Sequence, residues 1–348
     1  MRFFLQSDSG DRIVGWVVPD NPAAVSRVHV SVHGRRVAEI AATGFDANIV
    51  ALGWHSTGQC VFQVSEEHVP GLGALDRLEI RDADTNMLVY RRAPLEGLSR
   101  NRVVLVNTSV NPELPIEAAL FPHFRQCYFG IGKFSDEILR VIFDTAEMTS
   151  CLMSGAINFP RYEPHFVQSE TLSAMLVHDP YVEMAQRLTW LRDRSGLAAD
   201  PVQSWRLGNF VDGARYAAEF DFTDAKSLKR LFRFMPEEVY HFLYNPLTRQ
   251  LGTRGFDERV TPGSSIIAVE VLARVGVVGH FNYHRAFLST LFDQNGITAE
   301  PPDPPRLRPA ILALADLLKT IKVATDMVDF DSVLSDLVLR SVAKGWGA

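Results

Sequence analysis

Apolar and polar residues alternate in the first hundred positions and take helical spacing afterwards. Val28, Val30 and Val32 alternate with Arg27, His29 and Ser31, the period of two expected of a strand with one buried face. His33-Gly34 offers a turn, and Val37 to Ala42 runs back. Cys60 to Val64, Leu78 to Arg81 and Met87 to Arg91 are further short runs, separated by Gly, Pro, Asn and Asp clusters. Strands of this length and spacing predict a small all-β sandwich over residues 1–98.

Val103 to Val106 is a compact apolar run, the pattern of a buried parallel strand, and opens an α/β domain expected over 99–300. Lys133 to Met148 has helical spacing, with Ser135 or Asp136 available to start it. Leu172 to Val177 predicts a second buried strand, and Asp179-Pro180 follows directly. Asp is a favoured N-cap, and Pro fits the first helical turn, where its missing N–H goes unused. Tyr181, Met184, Ala185, Leu188 and Leu191 supply the apolar face of that helix. Further helices are expected over Lys226–Phe234, Glu237–Tyr244, Ile266–Val275 and Tyr283–Gln294, the last closed by Asn295-Gly296. Pro301, Pro302, Pro304 and Pro305 break the chain. Helices over 307–322 and 331–344 then form a proline-linked helical tail, 301–348.

The chain has 348 residues, 47% hydrophobic and 22% charged, enough apolar material for two cores. Its net charge of −6 argues against sequence-independent nucleic-acid binding, which needs many phosphates neutralised by Lys and Arg, but leaves room for a local basic groove. Cys60, Cys127 and Cys151 are too few and too scattered for a disulfide framework or zinc cluster, so a reducing compartment is expected. The Phe3-Phe4-Leu5 run is too short for a signal peptide, and no apolar stretch reaches the ~18 residues of a membrane span. The expected location is the cytoplasm.

Several clusters invite a chemical reading. Asp82-Ala83-Asp84-Thr85-Asn86 is rich in oxygen ligands, but Met87 and Ala93 stand where a calcium loop needs Gly and Glu, so these residues are expected to form a hairpin turn. His280 and His284 are spaced to share a helix face, yet no third ligand has recognisable spacing, and one capping and one surface histidine are expected. No metal is expected. Gly130-Ile131-Gly132-Lys133 precedes a helix but lacks the phosphate-loop spacing, so it reads as a turn with a surface lysine. A Gly-x-Ser-x-Gly elbow is missing from the sequence, which argues against a hydrolase of that kind. Lys226, Lys229, Arg230 and Arg233 gather positive charge on neighbouring turns, as a solvated face or a docking surface for an anion.

Three segments in order resemble the bacterial sulfotransferase-like proteins that act on carbohydrates. Leu176-Val177-His178-Asp179-Pro180-Tyr181 is similar to that family's strand-to-helix junction, normally Arg-Asp-Pro. Asn245-Pro246-Leu247-Thr248-Arg249-Gln250-Leu251-Gly252 is similar to its Asn-Pro-x-Thr-Arg-x-Leu segment, and Ala268 to Phe292 to its closing helix and strand. The resemblance covers about residues 100–300 and implies a P-loop-like sulfotransferase fold: a parallel sheet flanked by helices, preceded here by the sandwich and followed by the tail. It also implies PAPS, 3′-phosphoadenosine 5′-phosphosulfate, as sulfuryl donor, held by a Lys/Gly/Thr loop after the first strand and by Arg and Ser near the later junction. Gly15-Trp16-Val17-Val18-Pro19-Asp20, His33 to Ala38 and Gly58 to Phe62 resemble a sandwich attached to surface-polysaccharide enzymes, in which Trp16 and Trp54 are candidate sugar-stacking faces.

The chain departs from the donor-binding pattern at each step. Asn107-Thr108-Ser109-Val110-Asn111-Pro112-Glu113 follows the first strand with neither Lys nor Gly, and Glu113 adds a repulsion on the order of 1 kcal/mol toward an anion. His178 replaces the Arg before Asp-Pro, Glu183 and Gln186 fall at the later Arg and Ser positions, and Ala156 replaces a His in Gly155 to Pro160. Sulfuryl transfer requires preorganised positive charge and N–H donors. The expectation is therefore a degenerate sulfotransferase-like protein, needing no cofactor, that acts by binding in bacterial surface-glycan modification or assembly, with glycans or polysaccharide-synthesis proteins as partners. An active enzyme would use PAPS at a diverged site drawn from Lys133, His178, Lys229, Arg233 and Arg249. A third possibility is an interaction protein recruiting partners through its C-terminal helices.

Overall fold

Alternating side chains in the N-terminal region place Val28 and Val30 of the strand Arg27–Val32, and Leu78, Ile80 and Asp82 of the strand Leu78–Asp82, on buried faces. The computed structural model describes residues 1–19, 21–94, 96–144 and 149–346; Asp20 of the sandwich-like segment lies outside them. Two four-stranded antiparallel sheets form from β1 (Arg2–Asp8), β2 (Arg12–Val18), β3 (Arg27–Val32), β4 (Arg35–Ala41), β5 (Gly44–Phe45), β6 (Gln59–Ser65), β7 (Leu78–Asp82) and β8 (Leu88–Arg92). Their orders are β1-β2-β6-β5 and β4-β3-β7-β8. β1 contains the short apolar run of the N-terminus and pairs with β2, Phe4 opposite Trp16. The acidic 82–86 segment is the β7–β8 turn: Asp82 Oδ2 accepts from Thr85 N–H and Thr85 Oγ at 2.7 Å each, and Asn86 takes φ +57°.

Chain contacts divide the protein into two units, one of Met1–Arg100, Pro122–Tyr128 and Ser150–Leu152, the other of Asn101–Phe121, Phe129–Thr149 and Met153–Ala348. A five-stranded parallel sheet is formed by β9 (Arg102–Val106), β10 (Gln126–Phe129), β11 (Cys151–Gly155), β12 (Leu172–Val177) and β13 (Val277–His280), in the order β10-β11-β9-β12-β13. Every residue of β9 and β11 is buried, as a parallel sheet covered on both faces requires. Ala174 of β12 stands opposite Leu105 of β9 and Val277 of β13.

The helix Pro180–Asp193 begins at the expected residue. Asp179 Oδ1 accepts the N–H groups of Tyr181 and Val182 at 2.9 and 3.0 Å. Leu188 and Leu191 of this helix share one core with Leu228 and Leu231 of the helix Ala225–Phe234. Asp179→Ala is expected to lower stability by about 0.5–2 kcal/mol through loss of the cap. Urea unfolding checks it, and an unchanged midpoint would mean that the helix start does not depend on Asp179.

Other boundaries moved. The expected Lys133–Met148 helix is Asp136–Asp144, with Ile131–Lys133 a separate 3-10 turn; residues 145–148 lie outside the described residues. The Ile266–Val275 helix is Pro262–Leu272, because Thr261 and Ser264 make a capping box and Pro262 fills the first turn. The tail differs most: Pro309–Lys319, Lys322–Met327 and Asp329–Trp346 are its helices. Ile311, Leu314 and Leu318 lie in the same core as Leu188, and these helices fall within the second unit. Among the described residues no helix is long and apolar enough to cross a membrane.

Candidate functional site

The chain lays β9 at the centre of the parallel sheet, places β10 and β11 on one side, and then crosses to β12 and β13 on the other. Such a change of direction leaves a crevice outside the carboxyl ends of the central strands, where open α/β sheets bind ligands. The segments that meet there are 107–113 after β9, 156–158 after β11, 178–180 after β12 and 281–284 after β13. Gly132 supports one wall: a Cβ at that position would run into the Ala156 carbonyl, so only glycine lets the 130–133 turn approach so closely.

Glu183, in the first turn of the Pro180–Asp193 helix, is the centre of the crevice. Its carboxylate accepts the Ser109 hydroxyl at 2.8 Å, the Val110 N–H at 2.8 Å and Arg187 Nε at 2.7 Å. The two donors of the β9 loop that face the crevice are thus satisfied by the protein's own anion. The rest of that loop is fixed internally as well. Asn107 Oδ1 accepts Ser109 N–H, Asn107 Nδ2 donates to Asn111 O, and Gln250 Nε2 donates to both Asn107 O and Ile157 O.

Beside it, His178 Nε2 donates to Glu113 Oε1 at 2.6 Å, with both side chains buried. Burial alone would lower the imidazole pKa, but the charge and hydrogen bond of Glu113 outweigh it and raise His178 above its ordinary value. Ser335, from the Asp329–Trp346 helix, donates to His178 O and lies 3.2 Å from His280 Nε2. His280 caps the 3-10 turn Phe281–Tyr283 by accepting Asn282 N–H at Nδ1. Neither histidine of the pair is at the surface: His280 is 3% exposed and His284 1%, and burial lowers the pKa of His284.

A third carboxylate, Asp331, accepts Leu247 N–H, Thr248 N–H and Thr248 Oγ at 3.0, 2.7 and 2.6 Å. In return Asn245 Oδ1 accepts the N–H groups of Phe330 and Asp331. The Asn-Pro-Leu-Thr segment is therefore a clasp between the helices Pro246–Gly252 and Asp329–Trp346. Burial pushes Asp331 up despite three hydrogen bonds that pull it down. Thr108, His178, Pro180, Glu183, Leu247 and Asp331 enclose a cavity of about 10 Å³, room for about one water. No protein-family model matches the chain, and no curated protein matches it.

Of the five residues named from the sequence for a donor site, only His178 lies in this network. Arg249 is 6% exposed and closes the carboxyl end of the helix Glu237–Leu243, donating from Nη1 to His241 O at 2.8 Å. Lys133 stands exposed at the end of its 3-10 turn, and Lys229 and Arg233 stand on the exposed face of Ala225–Phe234. Gln250, Asp331 and Ser335 escaped the sequence reading, because their partners lie far away along the chain. Trp16 and Trp54 are each half-buried and pair with ring centroids 5.9 Å apart, and the Arg2 guanidinium covers Trp54 at 4.6 Å.

Proposed function

We propose that this chain is a sulfotransferase-like protein that performs no sulfuryl transfer and acts by binding in glycan modification or assembly. The observation that carries the proposal is the Glu183 carboxylate seated on Ser109 Oγ and Val110 N–H. These are the loop donors that a phosphosulfate would need. A nucleotide bisphosphate entering there would meet Glu183, Glu113 and Asp331, all buried, with His178 and Arg187 already committed to Glu113 and Glu183. Desolvating phosphate oxygens without fresh charged donors is unfavourable by several kcal/mol. The central position of β9, first in sequence among the parallel strands, supports a P-loop-like ancestry. A glycan as partner follows from the resemblance of residues 100–300 and of the N-terminal module.

Incubation of the purified chain with PAPS and a set of polysaccharides tests this. The expected outcome is no transferred sulfate, together with retention of at least one polysaccharide. Transfer above the no-protein control would overturn the proposal.

A further inference from the structure

The helix Ala225–Phe234 carries its charge in one stripe. At 3.6 residues per turn, Lys226, Lys229, Arg230 and Arg233 fall within an arc of about 100° and span about 10 Å of helix axis. Leu228, Leu231 and Phe232 occupy the opposite side and are buried. All four cations are exposed, and among the described residues none is in an ion pair. The helix itself contains no acid, although the chain as a whole carries −6. Phe234 flanks the stripe and is 63% exposed, with the Arg233 guanidinium 5.4 Å from its ring centroid.

We propose that this face is a docking surface for an acidic polysaccharide. Four cations along about 10 Å of helix can neutralise only a few of the closely spaced phosphates of a nucleic acid, whose binding rests on many such contacts. An acidic sugar chain presents apolar C–H faces between its charged groups. Four aligned cations beside one exposed ring complement that combination: the cations pair with carboxylates or sulfates, and Phe234 covers a pyranose face. The inference rests on the proposed glycan-binding function and assigns it a surface that shares no residue with the lining of the closed crevice.

The test uses the full chain and three probes at low salt: a size-defined heparin oligosaccharide, neutral dextran and a short single-stranded DNA. Wild type is expected to bind heparin and not dextran, and to lose binding as salt rises. Lys229→Glu with Arg233→Glu should weaken heparin binding at least about tenfold, with circular dichroism unchanged. Phe234→Ala should weaken it severalfold without altering the salt dependence. Heparin binding that is equal in the charge-reversed variant would overturn this surface and leave the glycan function standing. DNA bound as tightly as heparin would overturn the choice of partner. Failure of wild type to bind any polysaccharide would overturn the glycan function along with it.

Discussion

Replacing His178 with alanine is expected to destabilise the protein by about 3–5 kcal/mol, because Glu113 would be left buried without its partner. The pair is short, at 2.6 Å, and both side chains are almost fully enclosed. Its pH dependence identifies the cause. His178 has a raised pKa in the folded state, so its contribution is complete below the unfolded value of about 6.5 and fades as pH rises through the folded one. Wild type should lose this stability from about pH 6.5 upward, a loss the alanine variant does not share. Urea unfolding between acidic and alkaline pH reads both effects. A variant as stable as wild type would show that the pair contributes nothing, and parallel pH curves would remove His178 as the titrating group.

Glu183→Ala is expected to cost about 2–4 kcal/mol, since it strips Ser109 Oγ, Val110 N–H and Arg187 Nε of one shared acceptor. Glu183→Gln, which keeps an acceptor oxygen and the side-chain volume, should recover part of that loss. The distinction matters because an exposed carboxylate on a helix would give neither result. Equal stability of wild type and both variants, by thermal or urea unfolding, would mean that the carboxylate is not holding the loop.

The local part of this architecture was legible in the sequence. Val103 to Val106 and Leu172 to Val177 announced buried strands because both faces of a parallel sheet are covered, and Asp179-Pro180 announced a helix start through capping chemistry alone. Gln126–Phe129 and Cys151–Gly155 were not found, being too short for periodicity to separate strand from helix. The site was legible only in its departures: Glu113, Glu183 and Gln186 stood out as the wrong residues for a donor site. What they do instead depends on partners 65 to 77 positions away, and no local pattern encodes such pairing. Arg249 shows the converse. Its position suggested a phosphate clamp, but packing buries it against the carbonyls of a helix end, where its charge is spent on the fold.

Titration calorimetry of the full chain with adenosine 3′,5′-bisphosphate at low salt tests the closed crevice most directly, because it measures the donor site without requiring an acceptor. Low salt strengthens any phosphate contact and so favours binding. With Glu183 in place on the β9 loop and Glu113 and Asp331 also buried at the crevice, no saturable heat is expected even at millimolar ligand. A dissociation constant in the low micromolar range or tighter would contradict the account and restore a working nucleotide site.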